Sequence, residues 1–437
     1  MPENDPAETR EPTRDAAFVE LGTLLLDAGL SVTDVRDELE TVRRATMREE
    51  PLTFAVLPDT VLVSRERGSG PTAMGSTGRS ELSTRQAAQA VRFSHALASG
   101  ERALGDITRA AQAIRDIPTP HGSLRWIGGG ILIALGLATV FRCPWWAILL
   151  AAVVGCVVGG AAWTMGRIPA AAAILPFFAA FLSTLLVGAV SDWIDLGPVP
   201  LFAVCAPIAI LVPGALVTNA LLELTASDIV TGASRLVYGL IVLGFMMLGI
   251  TAGGAITGLR IDPGSAMLVG EAGSLDSTHP AWAALPPVWV AWLGVAVLAV
   301  GVGLAFGAGS RLTALGVVVM VCAYAALAAL TPAVGGAVAT GIAAAVLFVA
   351  ARALERSGFS VPAAITFQPA FLLLVPGTVG LVALTSSDGE ALFTAPATFV
   401  ALCIGIKVGS VVADTPWGRV FSPLQRRGGA GGAGPVR

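Results

Sequence analysis

From Trp126 onward the chain is a succession of long apolar runs separated by short polar breaks. About 20 mostly apolar residues is the length at which a helix crosses the hydrocarbon core of a bilayer, and there every backbone amide and carbonyl must be satisfied within the segment. The runs are therefore read as spanning helices. Ten can be marked: Trp126 to Phe141, Trp145 to Trp163, Pro169 to Val190, Val199 to Asn219, Arg235 to Gly258, Val288 to Gly307, Leu312 to Leu330, Pro332 to Ala351, Val361 to Leu384 and Ala391 to Ala413. With 54% hydrophobic and 13% charged residues the chain is an α-helical polytopic membrane protein. A formal net charge of −3, without a basic face or tail, supplies no footprint for nucleic acid.

The charges are concentrated at the front, 33 of 57 preceding Leu124, so a soluble part comes first. Residues 1–14 form a polar tail without the features of a secretory signal. Phe18, Leu21, Leu24 and Leu25 recur at helical spacing, and Gly29 follows where a helix would stop. Ser31 can cap a second helix with Val32, Val35, Leu39 and Val42 inward and Asp34, Glu38, Arg43 and Arg44 toward water. Leu52 to Ser64, rich in β-branched residues around Pro58-Asp59, reads as a strand pair, and Gly68 to Ser80 as a mobile loop. Helices over Thr84 to Ala98 and Gly105 to Ile114 complete a small α/β cytoplasmic domain, residues 15–120.

That domain carries His95 and His121 but no cysteine and no recognisable nucleophile motif; a membrane-anchored enzyme using it is an alternative to a regulatory role. His95 reads as a solvated helix residue. The Gly-rich stretch has no lysine and no strand-to-helix context for a phosphate cradle, and no P-loop occurs elsewhere, so no cofactor is expected. Cys143, Cys156, Cys205, Cys322 and Cys403 stand singly and read as small core residues, with no metal site.

Arginines orient the spans, since positive residues favour the cytoplasmic side. With the soluble domain inside, the inner loops and tail hold Arg167, Arg235, Arg311, Arg352, Arg356, Arg419, Arg426, Arg427 and Arg437, and the outer loops only Arg142 and Arg260. Both termini are then cytoplasmic, and residues 416–437 are an inner tail.

Leu211-Val212-Pro213-Gly214 in the fourth run returns 163 residues later as Leu374-Val375-Pro376-Gly377 in the ninth. Each half, residues 124–260 and 285–415, has five spans, so the second half enters from the opposite side and the chain reads as two inverted five-helix repeats. Pro213 and Pro376 cannot donate to the carbonyls of Ala209 and Leu372, and Gly214 and Gly377 let the backbone bend. A freed carbonyl end suits an ammonium or cation, and the amides opening the next half-helix suit a carboxylate. Two matched copies favour a binding site over a packing kink.

After the first break come Asn219, Glu223, Asp228 and Arg235, the densest polar cluster in the membrane part. Such groups are costly in lipid unless paired or wetted, which makes them site candidates. The alternative is an interfacial turn with Ser227 or Asp228 as helix cap and Arg235 as inner anchor. Lys407, the only lysine, lies within the tenth run; it either serves a buried charge role or snorkels. Gln368, before Pro376, is a candidate of the same kind. Glycine pairs such as Gly249/Gly253 and Gly405/Gly409 fit close helix packing.

The order of parts resembles the threonine/serine exporter family: "LGTLLLDAGLSVTDVRDELETV", then "VLPDTVLVS", then "ILVPGALVTNALLELTASDIVTGASRLVYGL", and later "LLLVPGTVGLVAL". Its pattern matches Pro213, Gly214, Asn219, Glu223, Asp228, Gly232 and Arg235; after Pro376-Gly377 the second half shows Ser386, Ser387 and Asp388 but no counterpart of Asn219. The resemblance implies export of L-threonine and L-serine from the bacterial cytoplasm, driven by the membrane potential or proton gradient without nucleotide. The partners it implies are the small-molecule substrate and the lipid bilayer, and it leaves room for a homo-oligomer. A transporter of another solute, such as a dicarboxylate or peptide, is the other reading; a dicarboxylate would need more cations than Arg235 and Lys407.

Overall fold

The computed structural model describes residues 14–47, 52–65, 72–78, 82–118, 122–262, 285–356, 370, 373–374 and 389–415. The amphipathic pattern of the N-terminal part builds helices α1 (Arg14–Asp27), α2 (Val32–Thr46), α3 (Thr84–Ala98) and α4 (Ile107–Arg115). Of these, α1 and α2 pack on an antiparallel sheet of β1 (Leu52–Val56), β2 (Thr60–Arg65) and β3 (Ala73–Ser76), and α3 and α4 pack against the helices. Alternation decides which sheet face is inward: Leu52, Phe54 and Val56 of β1 and Val61 and Val63 of β2 are buried, against Phe18, Leu21 and Leu25 of α1 and Leu39 of α2. The Asp34 amide donates to Ser31 Oγ at 3.1 Å, which caps α2.

Two expectations for this part change. Residues 73–76 of the expected loop form β3, in register with β2 from Ala73 opposite Val63 to Ser76 opposite Thr60, because an unpaired β2 edge would leave its amides and carbonyls without partners. Asp34 and Glu38 do not simply face water. Arg352 donates to Asp34 at 3.0 Å, Ser94 to Glu38 at 2.7 Å, and His95 Nε2 lies 3.3 Å from Glu38.

The rest is helical. Seven helices among the described residues are long and apolar enough to cross a membrane: α5 (Gly122–Val140), α6 (Trp145–Met165), α8 (Leu175–Ile194), α11 (Ile229–Thr257), α12 (Val288–Ala305), α13 (Ser310–Val334) and α14 (Gly336–Arg356). A bent pair makes up to eight. It joins Leu201–Leu211, which is α9 (Leu201–Cys205) continued as a 3-10 helix, to α10 (Gly214–Thr225) across a 70° break. A four-residue helix α7 (Pro169–Ala172) precedes α8, and α15 (Gly389–Asp414) follows the described part of the ninth run. Most of Val361 to Leu384, with Gln368, Pro376 and Gly377, lies outside the described residues.

Boundaries move where proline or polar residues mislead. Pro332 does not open the eighth span but sits inside α13, whose turn continues to Val334. Likewise α11 begins at Ile229 and carries Arg235 inside its second turn, because the guanidinium has a carboxylate partner and need not mark the membrane edge. Cys143 and Cys205 are buried, but Cys156 and Cys322 are exposed on the outer faces of their helices.

Helix pairing rests on close approach. The tightest neighbours are α5 with α12, α8 with α11 and α14 with α15. At the antiparallel α5–α12 crossing, a Cβ on Gly136 would lie 2.5 Å from the Leu298 amide nitrogen, and one on Gly301 2.7 Å from that of Ile133. Only glycine permits that contact, in which dispersion substitutes for the hydrophobic effect that lipid does not supply. Short strands β4 (Val199–Pro200) and β5 (Ile261–Asp262) pair at the end of the bundle remote from the N-terminal part.

Candidate functional site

The 70° break is the local consequence of Pro213. Its nitrogen cannot donate, and the chain enters the break through 3-10 geometry in which the Val212 amide donates to the Ala209 carbonyl at 3.2 Å. That carbonyl, expected to be free, is thus satisfied internally. Gly214 then opens α10, a half-helix with no side-chain cap, and Ala215 and Leu216 in its first turn face a cavity of about 650 Å³.

The cavity lies between the membrane helices and the N-terminal unit. Thr218 and Asn219 continue the α10 wall, Ser234, Arg235 and Tyr238 come from α11, Phe306 from the end of α12 and Phe348 from within α14. The opposite wall is the α1–α2 turn, Leu26 to Leu30, with Thr77 and Gly78 after β3.

Beside the cavity, the polar cluster is gathered, but around α2 rather than around open space. Asn219 donates to the Gly29 carbonyl at 2.9 Å. Glu223, completely buried, accepts from the Val32 amide at 2.9 Å and from Arg235 Nη1 through the same oxygen; its other oxygen has no partner among the described residues. A carboxylate at the first turn of α2 complements the helix dipole. Asp228 receives Thr33 at 2.8 Å and Arg36 through both terminal nitrogens at 3.2 and 2.9 Å. Burial opposes the charge on Asp228, yet the hydrogen bonds from Arg36 and Thr33 outweigh it and hold the carboxyl below its ordinary range. Asp228 stands at the N-cap position of α11 without a side-chain capping bond, its carboxylate being turned to Thr33 and Arg36 of the N-terminal unit.

The expected residues therefore separate. Arg235 and Asn219 reach the cavity, while Glu223 and Asp228 lie behind its lining and join α10 and the α10–α11 turn to the N-terminal unit. Pro213 and Gly214 form the break itself. Lys407 is half-buried on α15, without an ion pair or hydrogen bond among the described residues; its neighbours Leu402 and Ile406 pack with Val217 and Leu221 of α10. Gln368, Pro376 and Gly377 lie outside the described residues, but Leu374, the first residue of the second Leu-Val-Pro-Gly, is buried in that same cluster.

Sequence reasoning did not find the N-terminal partners Thr33 and Arg36, nor Asp27. Asp27 lines the cavity, accepts from the Gly78 amide at 3.0 Å and lies 3.4 Å from Arg115, which also bonds Glu20 at 3.0 Å. Burial pushes its carboxyl up, offset only in part by Arg115 and Gly78. No local pattern marks these residues, since each is an ordinary charged or polar position on an amphipathic helix.

A family model described as "Putative threonine/serine exporter" matches residues 16–257, which covers the N-terminal unit and α5 to α11, including every residue of the α10–α11 cluster. No curated protein and no solved structure matches the chain.

Proposed function

The chain belongs to the threonine/serine exporter family, a family of transporters, and from that premise we propose that it exports small neutral amino acids, L-threonine and L-serine, by alternating access driven by the proton motive force. The observation that carries the reading is the broken helix at Pro213–Gly214, whose uncapped half-helix opens on a cavity closed on the other side by the N-terminal unit. A half-helix start suits a carboxylate, and broken helices serve this purpose in secondary transporters.

The proposal includes ten spans in two inverted halves. Two things support it: α8–α11 and α14–α15 are equivalent pairs, third with fifth span in each half, and α5–α12 pairs the first spans antiparallel. It also places the protein in the cytoplasmic membrane with both termini inside, since the N-terminal unit meets the ends of α10, α11, α12 and α14 that carry the inner arginines. In this arrangement Glu223, Asp228 and Asn219 hold the N-terminal unit over the path as a gate. The test is efflux of radiolabelled threonine from proteoliposomes, with and without an imposed pH gradient and with serine, leucine and glutamate as competitors. Gradient-dependent efflux inhibited by serine is expected; no movement of threonine under any gradient overturns the reading.

A further inference from the structure

We propose that the cavity between the two parts is a binding site for a zwitterionic amino acid, in which Asp27 of the N-terminal unit receives the ammonium and Arg235 the carboxylate. The inference rests on the export reading for its substrate and extends it, because it makes the N-terminal unit part of the substrate site rather than only a gate.

Among the residues lining the cavity, Asp27 and Arg235 are the charged ones, one of each sign and from opposite walls. Arg235 uses Nη1 on Glu223 and makes no other hydrogen bond among the described residues, and its remaining nitrogens are not buried. Glu223 thereby fixes the guanidinium plane while its remaining donors stay available for a planar carboxylate. On the other wall, Glu20 and Asp27 share Arg115, an excess of one negative charge among the described residues. Asp27 is its buried member, with a side chain 4% exposed, and an ammonium would relieve that imbalance. Between the two charges the lining supplies hydroxyls, Thr77, Thr218 and Ser234 among them, rather than further ions. That composition fits a small amino acid with a polar side chain and disfavours a dicarboxylate, which would bring two negative charges to one arginine.

The test is equilibrium binding to the full-length chain in detergent with three probes: L-threonine, its amino alcohol lacking the carboxylate, and 2,3-dihydroxybutyrate lacking the ammonium. Asp27→Asn should weaken threonine by about tenfold or more and leave 2,3-dihydroxybutyrate unchanged, as expected for loss of one charge-assisted contact. Arg235→Lys should weaken threonine and spare the amino alcohol. Wild-type affinity for threonine in Asp27→Asn, or equal losses for threonine and the hydroxy acid, overturns the assignment. Ala215→Phe, which fills the cavity from an exposed position on α10, guards against a misfolded Asp27 variant; threonine binding unaffected by it removes the site outright. Efflux by the wild-type chain separates the two proposals. Export with Asp27-independent binding removes this site alone, whereas Asp27-dependent binding without export keeps the site and removes the export reading.

Discussion

Replacing Gly232 by alanine probes how the membrane helices hold the N-terminal unit. Gly232 lies where α11 crosses α10, and an added Cβ would sit 2.7 Å from Leu224 Cγ, 2.8 Å from the Ala220 carbonyl oxygen and 2.8 Å from the Leu224 amide nitrogen. Two of those atoms are backbone, so side-chain rotation cannot relieve the contact. The helices must separate by about 0.6 Å to reach ordinary contact, at a cost of roughly 1–3 kcal/mol for overpacking. Glu223 rides on α10 and Arg235 on α11, so the separation acts on their ion pair. A shift of that size would carry the 2.9 Å bond from the Val32 amide toward the limit of a hydrogen bond. Strain confined to the docked state converts to a roughly 5- to 150-fold larger open population.

Hydrogen exchange of residues 30–36 in detergent reads this directly, since the Val32 amide donates to Glu223. Exchange there should accelerate by that factor in Gly232→Ala. Gly244→Ala is the control: on the same helix a Cβ at Gly244 meets nothing within 4 Å, and alanine is the better helix former. Equal exchange in the Gly232 variant, the Gly244 variant and the wild type would refute the coupling between helix packing and docking.

Two further outcomes are expected. Burial works against the charge of Glu38, but hydrogen bonds from His95 and Ser94 hold its carboxyl below the ordinary 4.5, so its contribution to stability is complete above that value and lost as pH falls through the depressed folded value; the thermal stability gap between wild type and Glu38→Gln should therefore be full at neutral pH and shrink as pH falls below 4.5, and a gap that widens in acid contradicts the assignment. Lys407→Met should slow threonine efflux about tenfold with an unchanged melting temperature if the amine carries a charge role in the bundle, whereas an unchanged rate places it at the surface at the end of an apolar stem.

Much of the membrane part was legible because lipid imposes a one-dimensional rule. A spanning helix must be long and apolar, so the runs from Trp126 to Ala351 could be marked from order and length alone, and the Pro213–Gly214 break could be located because proline removes a donor wherever it stands. Capping is equally local, which is why Ser31 announced the start of α2. The misplacements at Pro332 and Arg235 arise because both residue types are common at helix ends; for Arg235, a carboxylate partner in space allowed it inside.

The cluster at α10 and α11 shows where that rule stops. Asn219, Glu223, Asp228 and Arg235 stood out in the sequence because polar groups are expensive in an apolar setting, but expense does not say who the partner is. Arg36 and Thr33 come from about 190 residues away, and only folding puts them against Asp228 and the Val32 amide against Glu223. Asp27 is a sharper case, an acid at the end of α1 that becomes part of a cavity wall because the α1–α2 turn docks there. The sequence alone determined that the chain enters the membrane, the order of its apolar runs and where one helix must break, since those follow from local hydrophobicity and backbone chemistry. The tertiary structure decided which charges meet, because electrostatic pairing depends on distance in space and on burial, and neither is a property of position along the chain.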